Sequence, residues 1–178
     1  RPRSLDDFVG QEHLVGEKGP IRKFIESGKI PSMIFWGPPG VGKTTLARII
    51  AEKMKRPFQT LNAVQSGVKE VREAIQKAEG QTFFNQKSPI VFIDEIHRFN
   101  KTQQDALLAA VEKGIFILIG ATTENPSFEI NNALLSRCQV YVLQSINDED
   151  LMLLAQKIID QDELFKNKKI HLTEFKKL

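Results

Sequence analysis

Five short apolar segments recur along the chain and predict five β-strands. They cover residues 33–36, 58–61, 90–93, 115–119 and 140–143, and the fourth continues through 120–121 to residues 122–123. The segments at about 45–54, 67–78 and 102–112 instead place apolar residues at helical spacing. Strands that are apolar at every position and alternate with amphipathic helices are typical of a parallel sheet covered on both faces. The pattern therefore predicts an α/β fold with a five-stranded parallel sheet between helices.

The two ends of the chain differ from this alternating pattern. Residues 1–11 predict an extended arm, and a helix is expected from about residue 14 or 19 to Ser27, with Gly28 as its stop. Gly80 is expected to end the helix at 67–78. Beyond Asn147 the pattern becomes helical again, which predicts a core at 1–146 and the beginning of a helical element at 147–178. The chain begins without Met and has no closing element, so we expect it to be part of a longer protein.

The composition is ordinary for a globular protein: 41% of the 178 residues are hydrophobic and 26% are charged. A net charge of +3, spread along the chain, permits contact with nucleic acid without arguing for it. The single cysteine, Cys138, excludes a disulfide framework within the chain. No apolar run approaches membrane-spanning length and the N-terminus lacks an apolar signal region, so we expect no membrane association.

Residues 37–45, GPPGVGKTT, match the phosphate-binding pattern G-x-x-x-x-G-K-[ST] and lie between a predicted strand and a predicted helix. Glycines allow backbone N–H groups to surround phosphate oxygens, and the helix start adds its positive dipole end. Lys43 is expected to reach the β- and γ-phosphates and Thr44 to ligate Mg²⁺. A chance glycine-rich turn would not need Lys and Thr at a helix start. The predicted binding residues are Pro38, Pro39, Gly40, Val41, Gly42, Lys43, Thr44 and Thr45.

Asp94 and Glu95 follow the third predicted strand directly. Alone, an Asp-Glu pair is more often a cap of the next helix. Together with the phosphate loop it predicts the second half of a hydrolysis site, in which Asp94 holds Mg²⁺, usually through water, and Glu95 polarises the attacking water. A metal site at His97 is not favoured, because His13 and His171 are distant in sequence and no cysteine pair accompanies them.

The strings GPPGVGKTT, IVFIDEIHRF and GATTENPS, with Ser136-Arg137-Cys138, together resemble an AAA+ ATPase of the clamp-loader branch. The resemblance extends from residue 5 to the end of the fifth predicted strand. Longer strings at residues 36–40, 97–101, 103–105 and 122–128 resemble the MgsA/RarA family of replication-associated recombination ATPases, related to Werner helicase interacting protein. The resemblance implies an AAA+ P-loop fold that binds ATP or ADP with Mg²⁺ and hydrolyses ATP.

The resemblance also implies roles for residues outside the two motifs. Val9, Gly10 and Gln11 would lie against the adenine, with backbone groups reading its edge. Asn62 would hold Glu95 inactive until a partner binds, although a plain strand-end turn residue is an equally good interpretation.

Two further residues resemble catalytic positions of the family. Thr123 would help to orient the attacking water, with Thr122 and Asn125 as weaker candidates. Arg137 would act as an arginine finger on the γ-phosphate of a neighbouring subunit. Without the Ser136-Arg137-Cys138 string, Arg137 would be an ordinary surface arginine, and Cys138 is expected to be a packed apolar residue.

The wider function is implied by the resemblance alone. It implies a helical lid after the sheet, a homo-oligomer assembled through a region beyond this chain, replication and repair partners, and action on stalled or gapped DNA. Lys69 and Arg72 would face the DNA backbone, although a solvated helix face explains them equally well. The expected location is the cytoplasm, associated with the nucleoid, in a bacterium, or the nucleus in a eukaryote.

Two alternative functions share these residues. A clamp-loader subunit or a Holliday-junction branch-migration motor would use the same catalytic groups. A nucleotide-dependent scaffold that barely hydrolyses ATP is a different class, and Glu95 argues against it because such a protein does not need a water-activating acid.

Overall fold

A computed structural model of the chain describes residue 2 and residues 4–83 and 87–161. Its sheet has five parallel strands in the order β2-β3-β4-β1-β5, as the apolar segments predict. The strands are β1 (Met33–Trp36), β2 (Phe58–Asn62), β3 (Ile90–Asp94), β4 (Ile117–Thr122) and β5 (Gln139–Val142).

Helices cover both faces of this sheet. They are α1 (Glu12–Val15), α2 (Pro20–Ser27), α3 (Lys43–Met54), α4 (Val68–Phe83), α5 (Lys101–Glu112), α6 (Pro126–Glu129), α7 (Asn132–Leu135) and α8 (Asp148–Gln161), with a 3₁₀ turn at Ile96–Arg98. Alternate strand residues point to opposite faces. Met33 and Phe35 pack with α1, α2 and α3, whereas Ile34 packs with α4, α5 and α7. The core therefore has two halves, one on each side of the sheet.

Several predicted boundaries were wrong, for local reasons. The arm at residues 1–11 is not extended throughout, because Ser4 closes a turn by donating its hydroxyl to Asp7 Oδ2 at 2.8 Å. The next helix is divided into α1 and α2. Gly80 does not end α4, which continues to Phe83. Strand β4 begins at Ile117 rather than at Ile115, whose N–H closes the end of α5 by donating to Ala110 O at 3.0 Å.

The chain enters α3 two residues earlier than the apolar spacing predicts. Helix α3 begins at Lys43, directly after Gly42, and not at Thr45. The helix at the other end, α8, lies within the predicted helical element at 147–178, and residues 162–178 of that element lie outside the described residues.

The register of the sheet brings the strand ends together. Trp36 is paired with Thr122, and Asn62 with Asp94, so the loops that leave β1 to β4 begin at the same edge. From β1, which lies between β4 and β5, the chain crosses to the outer strand β2. Ligands of open α/β sheets bind at the carboxyl ends of strands where the connections change direction in this way. The fold therefore places a candidate site beside β1.

Gln104 of α5 connects three segments near this edge. Its buried side-chain amide donates to Phe99 O at 3.0 Å and to Glu129 O at 3.2 Å, and its Oε1 accepts from Asn131 N at 2.8 Å. One buried side chain thus satisfies three backbone groups in the segments that flank α5 and α7.

Replacing Gln104 with Leu should destabilise the protein by about 2–4 kcal/mol, because three backbone groups lose the hydrogen-bond partner that this buried side chain provides. Urea unfolding would measure the change. A matched control is Ala109→Gln on the exposed side of the same helix, which should change stability by no more than ~0.5 kcal/mol. Equal effects of the two substitutions would contradict the proposed importance of this side chain.

Candidate nucleotide-binding site

The phosphate loop at residues 37–42 connects β1 to α3, and two of its glycines are required by geometry. Gly42 has φ 99°, and a Cβ there would lie 2.7 Å from the ring of Phe8. A Cβ on Gly37 would lie 2.3 Å from the carbonyl oxygen of Leu143. Since side chains rarely adopt the φ of Gly42 and neither approach leaves room for a Cβ, the loop conformation depends on glycine at both positions.

Lys43 opens α3 and folds back over the loop. Its Nζ donates to Gly37 O at 2.6 Å and to Pro38 O at 2.8 Å. Burial lowers the pKa of Lys43, and the carboxylates of Glu95 and Asp94 oppose that shift. The ammonium group is therefore held by two loop carbonyls and attracted by both carboxylates, and it lines the cleft where it can meet an anionic ligand.

Both sequence motifs line one cleft of about 370 Å³. The cleft is lined by Pro39, Gly40, Gly42, Lys43, Thr44, Thr45, Asp94 and Glu95. The structure therefore brings together the loop and the acids that follow β3, as the sequence predicts for a hydrolysis site. The Thr44 hydroxyl and the Asp94 carboxylate are oxygen ligands of the kind that Mg²⁺ prefers, so the residues fit this ion.

Glu95 is held by groups from two different segments. It follows β3 in the left-handed conformation with φ 53°. Its Oε2 accepts a hydrogen bond from Thr123 Oγ1 at 3.3 Å and lies 3.3 Å from His97 Nδ1. Left-handed backbone at a non-glycine residue is uncommon and is concentrated at functional sites. His97 was missed as a site residue by the sequence reasoning, although its position two residues after Glu95 was a usable signal.

Asn62 is the last residue of β2, as predicted, but its side chain makes a different contact from the one the resemblance implies. Its Oδ1 accepts from Val64 N at 2.9 Å, a turn typical of a strand-end asparagine. In the part of the chain that the structure describes, it makes no hydrogen bond to Glu95. This conformation matches the plain turn interpretation, and a regulatory role for Asn62 stays a prediction.

A second, smaller cavity of about 130 Å³ adjoins the phosphate loop and is mostly apolar. It is lined by Pro2, Phe8, Val9, Gly40, Val41, Gly42, Thr45, Ile146 and Leu154. Of the three residues predicted to lie against adenine, Val9 lines this cavity, whereas Gly10 and Gln11 do not.

Gln11 braces the segment that forms this cavity. Its buried side chain donates from Nε2 to Gln144 O at 2.7 Å and accepts at Oε1 from Gln144 N at 2.9 Å. Gly10 and Gln11 both have positive φ, at 77° and 61°. The pair of hydrogen bonds fixes the N-terminal segment to the chain that leaves β5, so Val9 and Phe8 stay beside the loop.

Arg137 lies at the edge of the sheet formed by the amino ends of the strands, whereas the phosphate loop lies at the edge formed by their carboxyl ends. It precedes β5 by two residues, and the first residue of that strand, Gln139, is paired with Met33 at the beginning of β1. The loop leaves the other end of β1. The half-exposed guanidinium donates from Nε and Nη2 to Glu112 Oε1, at 3.2 and 2.9 Å.

The remaining predicted residues have simple surroundings. Lys69 and Arg72 are exposed near the beginning of α4, and Lys69 Nζ lies 3.8 Å from Glu73 Oε1. Cys138 is largely buried, and desolvation raises the pKa of its thiol to about 12, which disfavours the reactive thiolate.

The described residues lack a cluster of metal-ligating side chains and a membrane-spanning helix. Residue 2 and residues 4–83 and 87–161 contain no group of three or more His, Cys, Asp or Glu side chains that could hold a metal ion. Within the same ranges, no helix is long and apolar enough to cross a membrane.

A parallel sheet with a glycine-rich loop and two acids at the carboxyl edge defines the class of P-loop nucleotide-binding proteins. Within that class, residues 33–145 match the sequence model of the ATPase family associated with various cellular activities, AAA. The chain therefore belongs to the AAA family.

Within the AAA family, the chain is similar in sequence to replication-associated recombination ATPases. The chain is 54% identical over 160 residues to replication-associated recombination protein A of Haemophilus influenzae, covering 90% of this chain and 36% of that protein. It is 49% identical over 174 residues to ATPase WRNIP1 of Dictyostelium discoideum, covering 98% of this chain and 20% of that protein. The chain thus spans about a third or less of the length of these relatives. The resemblance to replication-associated recombination ATPases is confirmed.

The structure is similar to that of RuvB from Thermotoga maritima, described as a Holliday junction branch migration motor. The TM-score is 0.70 at 28% identity, covering 90% of this chain and 54% of that chain. This similarity confirms the predicted α/β AAA+ architecture.

Replacing Gln11 with Leu should release the N-terminal segment, because both backbone groups of Gln144 lose their protein partner. Hydrogen exchange at the Gln144 amide should accelerate by about 5- to 10-fold, the equivalent of one lost hydrogen bond. A matched control is His13→Ala, which removes an exposed contact to Val142 O that uses no amide of the Gln144 segment. Unchanged exchange in the Gln11 variant would contradict the bracing role.

Proposed function

We propose that the chain is the ATP-binding and ATP-hydrolysing core of a longer, DNA-associated ATPase of replication and recombination. The observation that carries this proposal is the single cleft that joins the phosphate loop, Lys43 and Thr44 to Asp94 and Glu95. A protein that only bound nucleotide would need the loop but not a braced acid opposite it.

The polarity of the two adjoining cavities matches the polar phosphates and the less polar base of a nucleotide. The polar cleft takes the phosphates, where loop N–H groups and Lys43 meet their charge. The mostly apolar cavity beside Val9 takes the adenine, and the two cavities share Gly40, Gly42 and Thr45. Thr44 and Asp94 would hold Mg²⁺, which neutralises charge on the β- and γ-phosphates when it is bound.

Hydrolysis then needs an activated water. Glu95 accepts a proton from the water while the water oxygen forms a bond to the γ-phosphorus. The bond between the γ-phosphorus and the bridging oxygen of the β-phosphate breaks, which releases ADP. Thr123 supports this role through its hydrogen bond to Glu95 Oε2. This bracing favours hydrolysis over the alternative of a scaffold that barely hydrolyses ATP.

Arg137 is proposed to complete the site of a neighbouring subunit. Its position at the amino edge of the sheet supports action in trans, because its own phosphate loop begins at the other edge. A planar cation in such a position stabilises charge that develops on the transferred phosphoryl group. The proposed assembly is a homo-oligomer, formed with help from regions beyond residue 178.

The proposal that the protein acts on DNA rests on its similarity to the relatives described above. Replication-associated recombination protein A is more similar in sequence than RuvB, at 54% against 28% identity, which favours that function over a branch-migration motor or a clamp-loader subunit. The exposed cations Lys69 and Arg72 are the proposed contacts to the DNA backbone. Residues 1–146 form the proposed core, and 147–178 begin the proposed lid.

Phosphate release by the full-length protein tests this function. Hydrolysis should rise when gapped or forked DNA is added, and less so with intact duplex. No hydrolysis with any of these DNAs would overturn the proposal, and strong stimulation by a four-way junction alone would favour the branch-migration motor.

Two substitutions should separate binding from chemistry. Lys43→Ala should abolish tight ATP binding, because Lys43 meets phosphate in the ground state, whereas Glu95→Gln should bind ATP normally and not turn it over. Titration with a fluorescent ATP analogue beside a phosphate-release assay measures both effects. Arg98→Gln, an exposed neighbour on the turn after Glu95, is the control and should behave as wild type. Normal turnover by the Glu95 variant would show that the catalytic assignment is wrong.

Arg137→Ala should leave ATP affinity nearly unchanged and lower turnover on the order of 10³-fold or more. Mixing this variant with Lys43→Ala subunits should restore part of the activity, because a Lys43 variant still presents Arg137 to the intact pocket of an Arg137 variant. Full-length protein is required, with mixing verified independently. A finger that acts on its own subunit predicts no recovery at any ratio.

A further inference from the structure

His97 is a buried titratable residue that none of the roles above uses. It lies in the 3₁₀ turn directly after Glu95, and only 5% of its side chain is exposed. Its Nδ1 lies 2.9 Å from Thr122 Oγ1 and 3.3 Å from Glu95 Oε2. One ring nitrogen therefore faces both a buried hydroxyl and the proposed water-activating carboxylate.

The surrounding hydrogen bonds indicate which tautomer is present. Thr122 Oγ1 accepts from Glu124 N at 3.0 Å and lies 3.2 Å from Glu124 O, which can take its only proton. With Nδ1 protonated, the imidazole donates to Thr122 Oγ1, the same N–H group lies beside Glu95 Oε2, and the hydroxyl donates to Glu124 O. The Thr122 hydroxyl then accepts from Nδ1 and from Glu124 N and donates its proton to Glu124 O.

The opposite tautomer fits worse. An unprotonated Nδ1 would take the Thr122 proton away from Glu124 O and would leave an electron-rich nitrogen 3.3 Å from the Glu95 carboxylate. Two electron-rich atoms at that distance repel each other, and the hydrogen-bond network assigns the proton accordingly. These contacts therefore favour the tautomer with a proton on Nδ1.

We propose that His97 is a positioning residue for Glu95, acting through the N–H group at Nδ1 that faces Oε2. Thr123 Oγ1 donates to Glu95 Oε2, the Nδ1–H group of His97 lies 3.3 Å from the same oxygen, and Oε1 has no hydrogen-bond partner among the described residues. The two groups hold Oε2 and thereby favour Oε1 as the oxygen that receives the proton from water. Thr122, a weaker candidate in the sequence, orients the imidazole. The inference deepens the proposed ATPase function and rests on it.

Amide substitutions test the position of the donor. The substitution His97→Asn places an amide where the ring carries Nδ1, whereas His97→Gln reaches the position of Nε2. In the full-length protein with gapped DNA, His97→Gln and His97→Leu should lower kcat by roughly 10- to 100-fold, because Glu95 loses the N–H group that faces its Oε2. His97→Asn should stay within about 3-fold of wild type, and KM for ATP should change little in all three.

The possible results separate this inference from the proposed function. If wild type hydrolyses ATP and Glu95→Gln does not, normal kcat in His97→Leu, or equal kcat in the Asn and Gln variants, overturns the role of His97 alone. If wild type does not hydrolyse ATP, the proposed function itself fails.

A direct readout covers variants that do not fold. The full-length protein labelled with ¹⁵N at histidine should show a protonated Nδ1 for the ring of His97. The His97 signal is identified as the one missing in His97→Asn. If that variant does not fold, it is identified as the histidine signal that shifts most in Glu95→Gln. An unprotonated Nδ1 in wild type overturns the inference whatever the kinetics show.

Discussion

Parallel pairing of β1 with β4 and β5 is the constraint on which the site depends. All strands run in the same direction, so the segments that follow them meet at one edge although they are far apart in sequence. Because β3 also pairs in parallel with β4, this alignment places the loop after Trp36 near Asp94, Glu95 and Thr123. The same alignment places Arg137, which precedes a strand, at the other edge. One register thus determines which groups can act together within a subunit.

The phosphate loop is also held from outside the sheet. Phe8 lies so close to Gly42 that a methyl group there would collide with its ring, and Leu143 O approaches Gly37 in the same way. Gln11 ties the segment that carries Phe8 to the backbone that follows β5. The N-terminal segment, the loop and the end of the sheet therefore form one packed unit, and the apolar cavity lies where these three parts meet.

Local spacing was sufficient to predict the strands, the loop and the acids, because each depends on residues close together in sequence. The brace from Gln11 joins positions 133 residues apart, so no local pattern could indicate it. The contact between His97 and Glu95 occurs where the backbone of Glu95 is left-handed, a conformation that apolar spacing does not predict for a non-glycine residue. Gly80 was misjudged as a stop because glycine in a helix has only a modest cost, about 1 kcal/mol, which the rest of α4 can offset.

The opposite positions of Arg137 and the phosphate loop restrict how subunits with a trans finger can be arranged. The amino edge of one sheet has to meet the carboxyl edge of the next. Two subunits can each place a finger in the pocket of the other only if they lie side by side and antiparallel. In all other arrangements the subunits contact each other head to tail. A head-to-tail row has one terminal pocket without a finger and one finger without a pocket unless it closes into a ring. The subunits of an open row would therefore be chemically unequal, although their sequences are identical.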